Sequence, residues 1–259
     1  MDNRRQLSNV ERQEEIWRFI QQQQRVAVAD ICEQFSVSEA TARRDLDALV
    51  EQHRIQRVHG GAIAVRQPPP ELPAPQRSTE HTEEKRRIGL ATANLVADNE
   101  AIFLGAGTTV LKVAHQLRNR RNLTVITNSL PVLNTFSDVP GITLVCVGGM
   151  LRYSEGSFIG HLAEQSLTEL RADKVIIGSR SLDAEHGLTN DHLPETLTDR
   201  AILGIGREVI IVADHSKCCC VSAVLVAPIT IINTLVTDTA APPDFVEALT
   251  SKGIRVLTV

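Results

Sequence analysis

Apolar residues at helical spacing predict two short helices, joined by a tight turn, near the start of the chain. In the first helix Val28, Ile31, Cys32 and Phe35 recur at i, i+3, i+4 and i+7, which places them on one face. The second helix shows the same period in Ala42, Leu46, Leu49 and Val50. A leading helix at 11–22 completes a predicted three-helix core.

The face of the second helix opposite its apolar stripe carries polar and basic side chains. Ser38 suits the N-cap, and Glu39 places a negative charge in the first turn, where the helix dipole favours it. Projection at about 100° per residue puts Thr41 and Arg44 on this face and Arg43 beside it. Arginine suits phosphates or a guanine edge in the major groove. Periodicity alone leaves open a helical hairpin with a solvated charged face.

A short hairpin follows these helices. Its predicted strands are 55–58 and 62–65, and Gly60 and Gly61 form the turn. This arrangement predicts a wing after the second helix.

The segment from Ser38 to Ala62, SEATARRDLDALVEQHRIQRVHGGA, resembles the N-terminal winged helix-turn-helix of the DeoR family of bacterial transcriptional regulators. The match includes RRDL at 43–46 and RVHGG at 57–61. The resemblance implies that the helix and the wing bind double-stranded operator DNA. The residues expected to contact DNA are Ser38, Glu39, Thr41, Arg43, Arg44, Arg57 and His59.

A proline-rich segment separates two regions of the chain. Residues 67–82 contain five of the eleven prolines and few apolar side chains. Consecutive prolines favour polyproline II, so we expect an extended, semi-stiff connector. The predicted domains are a winged helix-turn-helix at 1–66 and a larger domain at 83–259, on either side of this connector.

In the larger domain, short β-rich runs are mostly separated by helix-length segments. The runs are 101–104, 123–126, 142–147, 174–177, 209–212 and 234–237. The alternation predicts βαβ units and an α/β domain with a mainly parallel, Rossmann-like sheet. Ligands of such sheets bind at the carboxyl ends of the strands.

Small or polar clusters follow five of the predicted strands. They are Gly105–Thr109, Thr127–Ser129, Gly148–Gly149 with Arg152 nearby, Gly178–Arg180 followed by Gly187–Thr189, and Asp214–Lys217. Glycine allows the backbone to approach an anion, and threonines at a helix N-terminus add hydroxyl and N–H donors. Many strand-helix turns also need glycine for steric reasons alone. Taken together, the five clusters suggest a crevice for a small polyol that carries a phosphate.

The DeoR resemblance extends over this domain through GTT at 107–109, TNS at 127–129, GG at 148–149, GLT at 187–189 and ADHSK at 213–217. It implies a sensor domain with the fold of ribose-5-phosphate isomerase and a phosphorylated sugar as effector. From the strand-end clusters and the resemblance together, the expected effector-binding residues are Gly105, Gly107, Thr108, Thr109, Asn128, Ser129, Gly148, Gly149, Arg152, Glu195 and Lys217. Among them, residues 107–109 would hold the phosphate and Lys217 would supply a cation.

Three positions depart from the family pattern. Gly105 and Ala106 replace an acid and a serine, and Asp199 replaces a lysine. A different effector or a weakened sensor would explain these changes. An isomerase-like enzyme, with Glu195 or Asp199 as base and Lys217 as cation, remains an alternative, as does a domain that only oligomerises. We expect a regulator without catalytic residues, because fold likeness does not carry function and a DNA-binding module followed by a metabolic fold is the layout of a ligand-controlled regulator.

Composition adds few constraints. The 259 residues are 42% hydrophobic with a net charge of −4, so DNA binding must depend on the placement of arginines. The start of the chain contains no apolar segment of signal-peptide type, and the apolar stretch at 221–236 is too short to span a bilayer, which predicts a cytoplasmic protein without membrane association. Adjacent cysteines at 218–220 cannot readily converge on one ion, and we expect no metal or cofactor. Because one recognition helix reads few base pairs, we expect a homo-oligomer, either a dimer or a tetramer.

Overall fold

The computed structural model describes residues 8–23, 25–52, 54–58, 60–64 and 68–259. Its internal contacts divide the chain into two compact units, 1–66 and 67–259. Two positions of the predicted wing, His59 and Val65, lie outside the described residues.

The first unit combines helices with a small antiparallel sheet. Its elements are α1 (Asn9–Gln23), β1 (Arg25–Ala27), α2 (Val28–Phe35), α3 (Glu39–Glu51), β2 (Ile55–Val58) and β3 (Gly61–Ala64). The strand order is β1-β3-β2. The predicted winged helix-turn-helix is therefore confirmed. The prediction missed β1, because three residues are too few to show a strand period.

One apolar cluster holds this unit together. Ile16 and Ile20 of α1 lie one turn apart and pack with Ile31 of α2 and with Leu46 and Leu49 of α3. All five side chains are fully buried. Burying a Leu or Ile side chain contributes about 1.5–3 kcal/mol, so these residues supply much of the stability of a small unit.

Close strand packing explains a glycine of the wing. A Cβ atom at Gly61 would lie 2.1 Å from the carbonyl oxygen of Val26. Gly60, just before it, has a φ of +80°, which side-chain-bearing residues rarely adopt. The Gly-Gly pair of the predicted turn is therefore required by the backbone.

A buried ion pair links α1 to α3 in the same unit. Asp45 is only 3% exposed, and its carboxylate accepts hydrogen bonds from Arg12 Nε at 2.6 Å and Arg12 Nη2 at 3.1 Å. Gln13 Nε2 donates to it at 3.2 Å.

Substituting Arg12→Ala is expected to destabilise the first unit by about 3 kcal/mol, because Asp45 would keep a buried charge without its cation. Urea denaturation followed by the fluorescence of Trp17, the single tryptophan, would measure this loss. Arg18→Ala is the matched control, since Arg18 is exposed on the same helix. Equal denaturation midpoints for the two variants would contradict the role of the ion pair.

The second unit is built on a seven-stranded parallel sheet. The helices of this unit are α4 (Ala74–Arg77), α5 (Thr82–Ala93), α6 (Thr108–Leu117), α7 (Leu130–Phe136), α8 (His161–Thr168), α9 (Leu193–Gly204) and α10 (Pro243–Ser251). Its strands are β4 (Ala101–Leu104), β5 (Thr124–Thr127), β6 (Thr143–Cys146), β7 (Met150–Arg152), β8 (Ser157–Ile159), β9 (Ala172–Ile177), β10 (Ser181–Asp183), β11 (Gly187–Asn190), β12 (Gly206–Val212), β13 (Val224–Ala227), β14 (Thr234–Thr237) and β15 (Arg255–Thr258). The order in the parallel sheet is β15-β14-β12-β9-β4-β5-β6.

Both faces of this sheet are buried. Phe103 and Val175 belong to one apolar cluster, whereas their chain neighbours Ile102 and Ile176 belong to another. Alternate residues of a strand point to opposite faces, so two covered faces need continuous apolar runs. The predicted α/β architecture is confirmed, and all six predicted runs contribute strands to the sheet. The prediction missed β15, the β7–β8 hairpin and the antiparallel sheet of β10, β11 and β13.

The proline-rich segment differs from the extended connector that its composition predicts. Its described part contains α4 and packs within the second unit. Ala74 N donates to Ser154 O at 2.8 Å, and Arg180 Nη2 donates to Pro69 O. Pro75 is tolerated near the start of α4, where backbone N–H groups have no intrahelical partner. The division into domains at 1–66 and 83–259 stays a prediction.

No helix in the described part of the chain is both long and apolar enough to cross a membrane.

Candidate functional site

The start of α3 is fixed by a polar cap. Ser38 Oγ accepts a hydrogen bond from Thr41 N at 3.2 Å, and the two hydroxyl oxygens lie 2.9 Å apart. This satisfies one of the N–H groups that a helix start leaves without a partner. Two of the predicted DNA contacts, Ser38 and Thr41, therefore also shape the helix that would present them.

Predicted DNA-binding arginines lie at the surface of the first unit. Arg43 is exposed and donates to Glu39 one turn earlier, with Nε at 3.1 Å from Oε1. Arg57 of β2 pairs with Asp47 of α3 at 3.2 Å. Arg44 is exposed, and no ion pair within 4.0 Å holds it among the described residues. Exposed ion pairs contribute about 0–1 kcal/mol, so these arginines can exchange their partners for phosphates at little cost. His59 lies outside the described residues.

The second unit contains a cleft at the carboxyl ends of its central strands. Segments that follow β4, β5, β9 and β12 meet there, joined by α9 and by residues before α5. The predicted effector-binding residues that line the cleft are Gly105, Gly107, Thr108, Thr109, Asn128, Glu195 and Lys217.

One wall of the cleft is the N-terminus of α6. Gly107 precedes the helix with a φ of +112°, and its carbonyl accepts from Leu111 N at 3.0 Å. The first N–H groups of a helix lack intrahelical acceptors and carry partial positive charge, which suits an anion. Thr108 and Thr109, at this helix start, line the cleft.

Two lysines add positive charge to the same cleft. Lys85 of α5 is buried, and its Nζ donates to the carbonyls of Arg77 and Glu80, both at 2.7 Å. The Lys217 ammonium group, by contrast, forms no hydrogen bond and no ion pair within 4.0 Å with the described residues, whereas its backbone N donates to Asp214 O at 3.0 Å. Burial lowers the pKa of the Lys217 ammonium, and the nearby Asp214 opposes this shift. Burial likewise lowers the pKa of Lys85.

Carboxyl groups of α9 line the same cleft and belong to a hydrogen-bonded network. Glu195 is ion-paired with Arg152, which also pairs with Glu71 at 2.9 Å. Asn190 Nδ2 lies 3.2 Å from Glu195 Oε2 and 3.4 Å from Asp199 Oδ2. Burial, reinforced by the charge of Glu195, raises the pKa of Asp199 well above its usual range. Arg152 does not line the cleft itself, but its ion pair positions Glu195.

Four predicted effector-binding residues lie outside the cleft lining: Arg152, described above, and Ser129, Gly148 and Gly149. Ser129 caps α7, with its Oγ accepting from Val132 N at 3.4 Å. At Gly149 an added Cβ would lie 2.7 Å from the carbonyl oxygen of Ile159, which explains glycine by packing. A Cβ atom added at Gly148 would have no neighbour within 4 Å.

The sequence analysis assigned no role in the site to several residues that line the cleft. Arg77 lies in the segment that was predicted as a connector, and Lys85 lies in α5, the helix after it. Neither residue follows a strand, and the prediction considered only residues at strand ends. Glu155 lies between β7 and β8, a hairpin that was not predicted, whereas Arg180 was noted in a strand-end cluster without being assigned a role. The signal available in the sequence was the presence of charged residues within and directly after the proline-rich segment.

Comparison with known proteins assigns the chain to a family. The model of the DeoR-like helix-turn-helix domain matches residues 12–67, and that of the DeoR C terminal sensor domain matches residues 80–239. The chain belongs to the DeoR family. It is 36% identical to the transcriptional repressor AccR of Agrobacterium fabrum, over 89% of this chain and 90% of that protein. It is 34% identical to the glycerol-3-phosphate regulon repressor of Escherichia coli, over 96% of this chain and 99% of that protein.

These DeoR-family relationships show that the chain is a DNA-binding transcriptional regulator and not an enzyme. Ribose 5-phosphate isomerase A of Methanocaldococcus jannaschii is 18% identical, with a TM-score of 0.41 over 54% of this chain and 55% of that chain. A similarity at this level supports no conclusion about activity.

Gly105→Ala is expected to destabilise the second unit by about 1–3 kcal/mol, because the new Cβ would lie 2.8 Å from Ile177 Cγ2. Gly148→Ala is the matched control and should change stability by less than about 1 kcal/mol, since its Cβ meets open space. Urea denaturation followed by circular dichroism would measure both. If the two variants are equally stable, packing does not explain the glycine at position 105.

Proposed function

We propose that this DeoR-family regulator is a repressor of a carbohydrate-metabolism operon and that a phosphorylated sugar releases it from its operator. The observation that carries the proposal is the cleft that combines the N-terminus of α6 with Lys85 and Lys217. The names of the relatives support the same reading, since one of them is the glycerol-3-phosphate regulon repressor.

Operator binding is assigned to α3 and the wing. Arg43 and Arg44 are exposed at the start of α3, which is the part of a recognition helix that enters the major groove. Arg57 and His59 would add contacts from the wing. Because one such unit reads few base pairs, the functional form is a dimer or a tetramer on symmetric half-sites in the cytoplasm.

Arg44→Ala should weaken operator binding by about tenfold or more, because a bidentate arginine contact to a base contributes about 1–3 kcal/mol. Fluorescence anisotropy with a labelled operator fragment at several salt concentrations would measure it. If Arg44 instead contacts phosphate, the loss should be similar on all sequences and the salt slope should fall by about one. Arg18→Ala is the control; equal affinity of both variants would refute the recognition-helix assignment.

Effector binding is assigned to the cleft of the second unit. The phosphate would lie on the N–H groups of residues 107–110, with Lys217 as a cation beside it. Glu195, held by Arg152 and Asn190, would accept hydrogen bonds from sugar hydroxyls. Residues 68–82 both lead to the DNA-binding unit and contribute Glu71, Arg77 and Glu80 to the cleft, so this segment is the proposed route of coupling.

Lys217→Gln should lower the affinity for the phosphorylated effector by about tenfold to a hundredfold, because a hydrogen bond to a charged group contributes about 1.5–3 kcal/mol. Thermal denaturation against sugar phosphates and their unphosphorylated parents would measure this, since a ligand of the native state raises the melting temperature.

Lys252→Gln, which removes an exposed lysine, should respond to the same ligands as the unaltered protein. If no sugar phosphate shifts the unaltered protein, the proposal fails, and a second unit that only oligomerises becomes the better account. If the Lys217 variant keeps the full shift, the phosphate lies elsewhere.

A further inference from the structure

Two buried oxygen atoms in the effector cleft have no hydrogen-bond partner among the described residues. They are Asn128 Oδ1 and Glu155 Oε1. Asn128 is 3% exposed and Glu155 is 7% exposed, and both side chains line the cleft. A buried acceptor without a donor costs about 1–3 kcal/mol, and most buried polar groups in proteins avoid that cost.

The surroundings of both side chains fix these oxygens as acceptors. Asn128 Nδ2 donates to the carbonyl of Phe158 at 3.0 Å, so the amide cannot turn over without placing two acceptors together. Glu155 uses its other oxygen, Oε2, to accept from Arg77 Nη2. Each residue therefore presents one oxygen that only a further donor can satisfy.

Charge near Glu155 favours a donor rather than a second anion. Glu71 and Glu195 lie near enough to act on its carboxyl group, and Arg77 is the opposing cation. Burial, together with these two acids, raises the pKa of Glu155, and the interaction with Arg77 lowers it. A hydroxyl or ammonium group would satisfy the carboxyl oxygen in this environment, whereas a phosphate oxygen would add repulsion.

We propose that Asn128 and Glu155 form a donor-recognition subsite, so that the effector must carry hydroxyl or ammonium groups in addition to its phosphate. This inference rests on the proposed function and defines the class of its ligand. Glu155 determines specificity by accepting from the effector with Oε1. Through Oε2 it holds Arg77, so the same carboxyl group joins ligand recognition to the segment at 68–82.

Titration calorimetry tests the subsite with phosphate compounds that differ in the hydroxyl and ammonium groups carried besides the phosphate. The probes are inorganic phosphate, methyl phosphate, glycerol 3-phosphate, glucose 6-phosphate and glucosamine 6-phosphate. The unaltered protein should bind at least one polyol or amino-sugar phosphate about tenfold or more tightly than methyl phosphate, because only the former supplies the missing donors. Equal affinity for methyl phosphate and for the tightest-binding probe would overturn the subsite without any variant.

Glu155→Gln should reduce the preference for the polyol or amino-sugar phosphate over methyl phosphate by about tenfold. The reason is that the amide of Gln can present a donor where the carboxylate presented an acceptor. Its affinity for methyl phosphate should not fall, because the change removes a negative charge and leaves the start of α6 intact. Glu247→Gln removes the same charge from an exposed residue of α10, outside the cleft, and should keep the full preference. An undiminished preference over methyl phosphate in the Glu155 variant would refute the inference and leave the proposed function intact. Failure of every probe to bind the unaltered protein would instead refute the proposed function, and this inference with it.

Discussion

Parallel pairing of seven strands is the constraint on which the candidate site depends. Because neighbouring strands run in one direction, their carboxyl ends meet at one edge of the sheet. Segments that are distant in the chain, such as those at Gly107, Asn128 and Lys217, are thereby brought into one cleft. Both faces of the sheet are buried, so the strand residues are mostly apolar. The polar residues of the site therefore lie mainly in the segments that follow the strands.

The cleft contains groups of both charge signs, and this explains how it can be stable before it binds a ligand. Arg77, Arg152 and Arg180 are each paired with carboxylates, so the buried acids around Glu71 are compensated. The N-terminus of α6 and Lys217 are less constrained and suit an incoming anion. Buried ion pairs contribute little net stability, but removing one partner leaves an uncompensated charge, which makes their arrangement specific.

Segment 68–82 is the proposed link between this electrostatic arrangement and regulation. In the proposed function the signal passes from the second unit to the DNA-binding unit, and this segment contributes Glu71, Arg77 and Glu80 to the cleft. Its contacts with Ser154, Glu155 and Arg180 are polar and directional. Under the proposed function, a ligand that changes those partners would change the segment without a rearrangement of the apolar core.

Local patterns in the sequence determined both architectures. Apolar spacing in α2 and α3 identified the helix-turn-helix, and apolar runs identified six strands of the parallel sheet, because burial on one face or two leaves a characteristic period. Short strands such as β1 and β7 escaped, since three residues carry too little periodicity. Only the tertiary structure decided which residues form the cleft. It placed Arg77, Glu155 and Arg180 in the same cleft as residues 107–109, and it gave Ser129 the role of a helix cap and Gly149 a packing role. Contacts between distant segments depend on strand order and register, which no local pattern specifies.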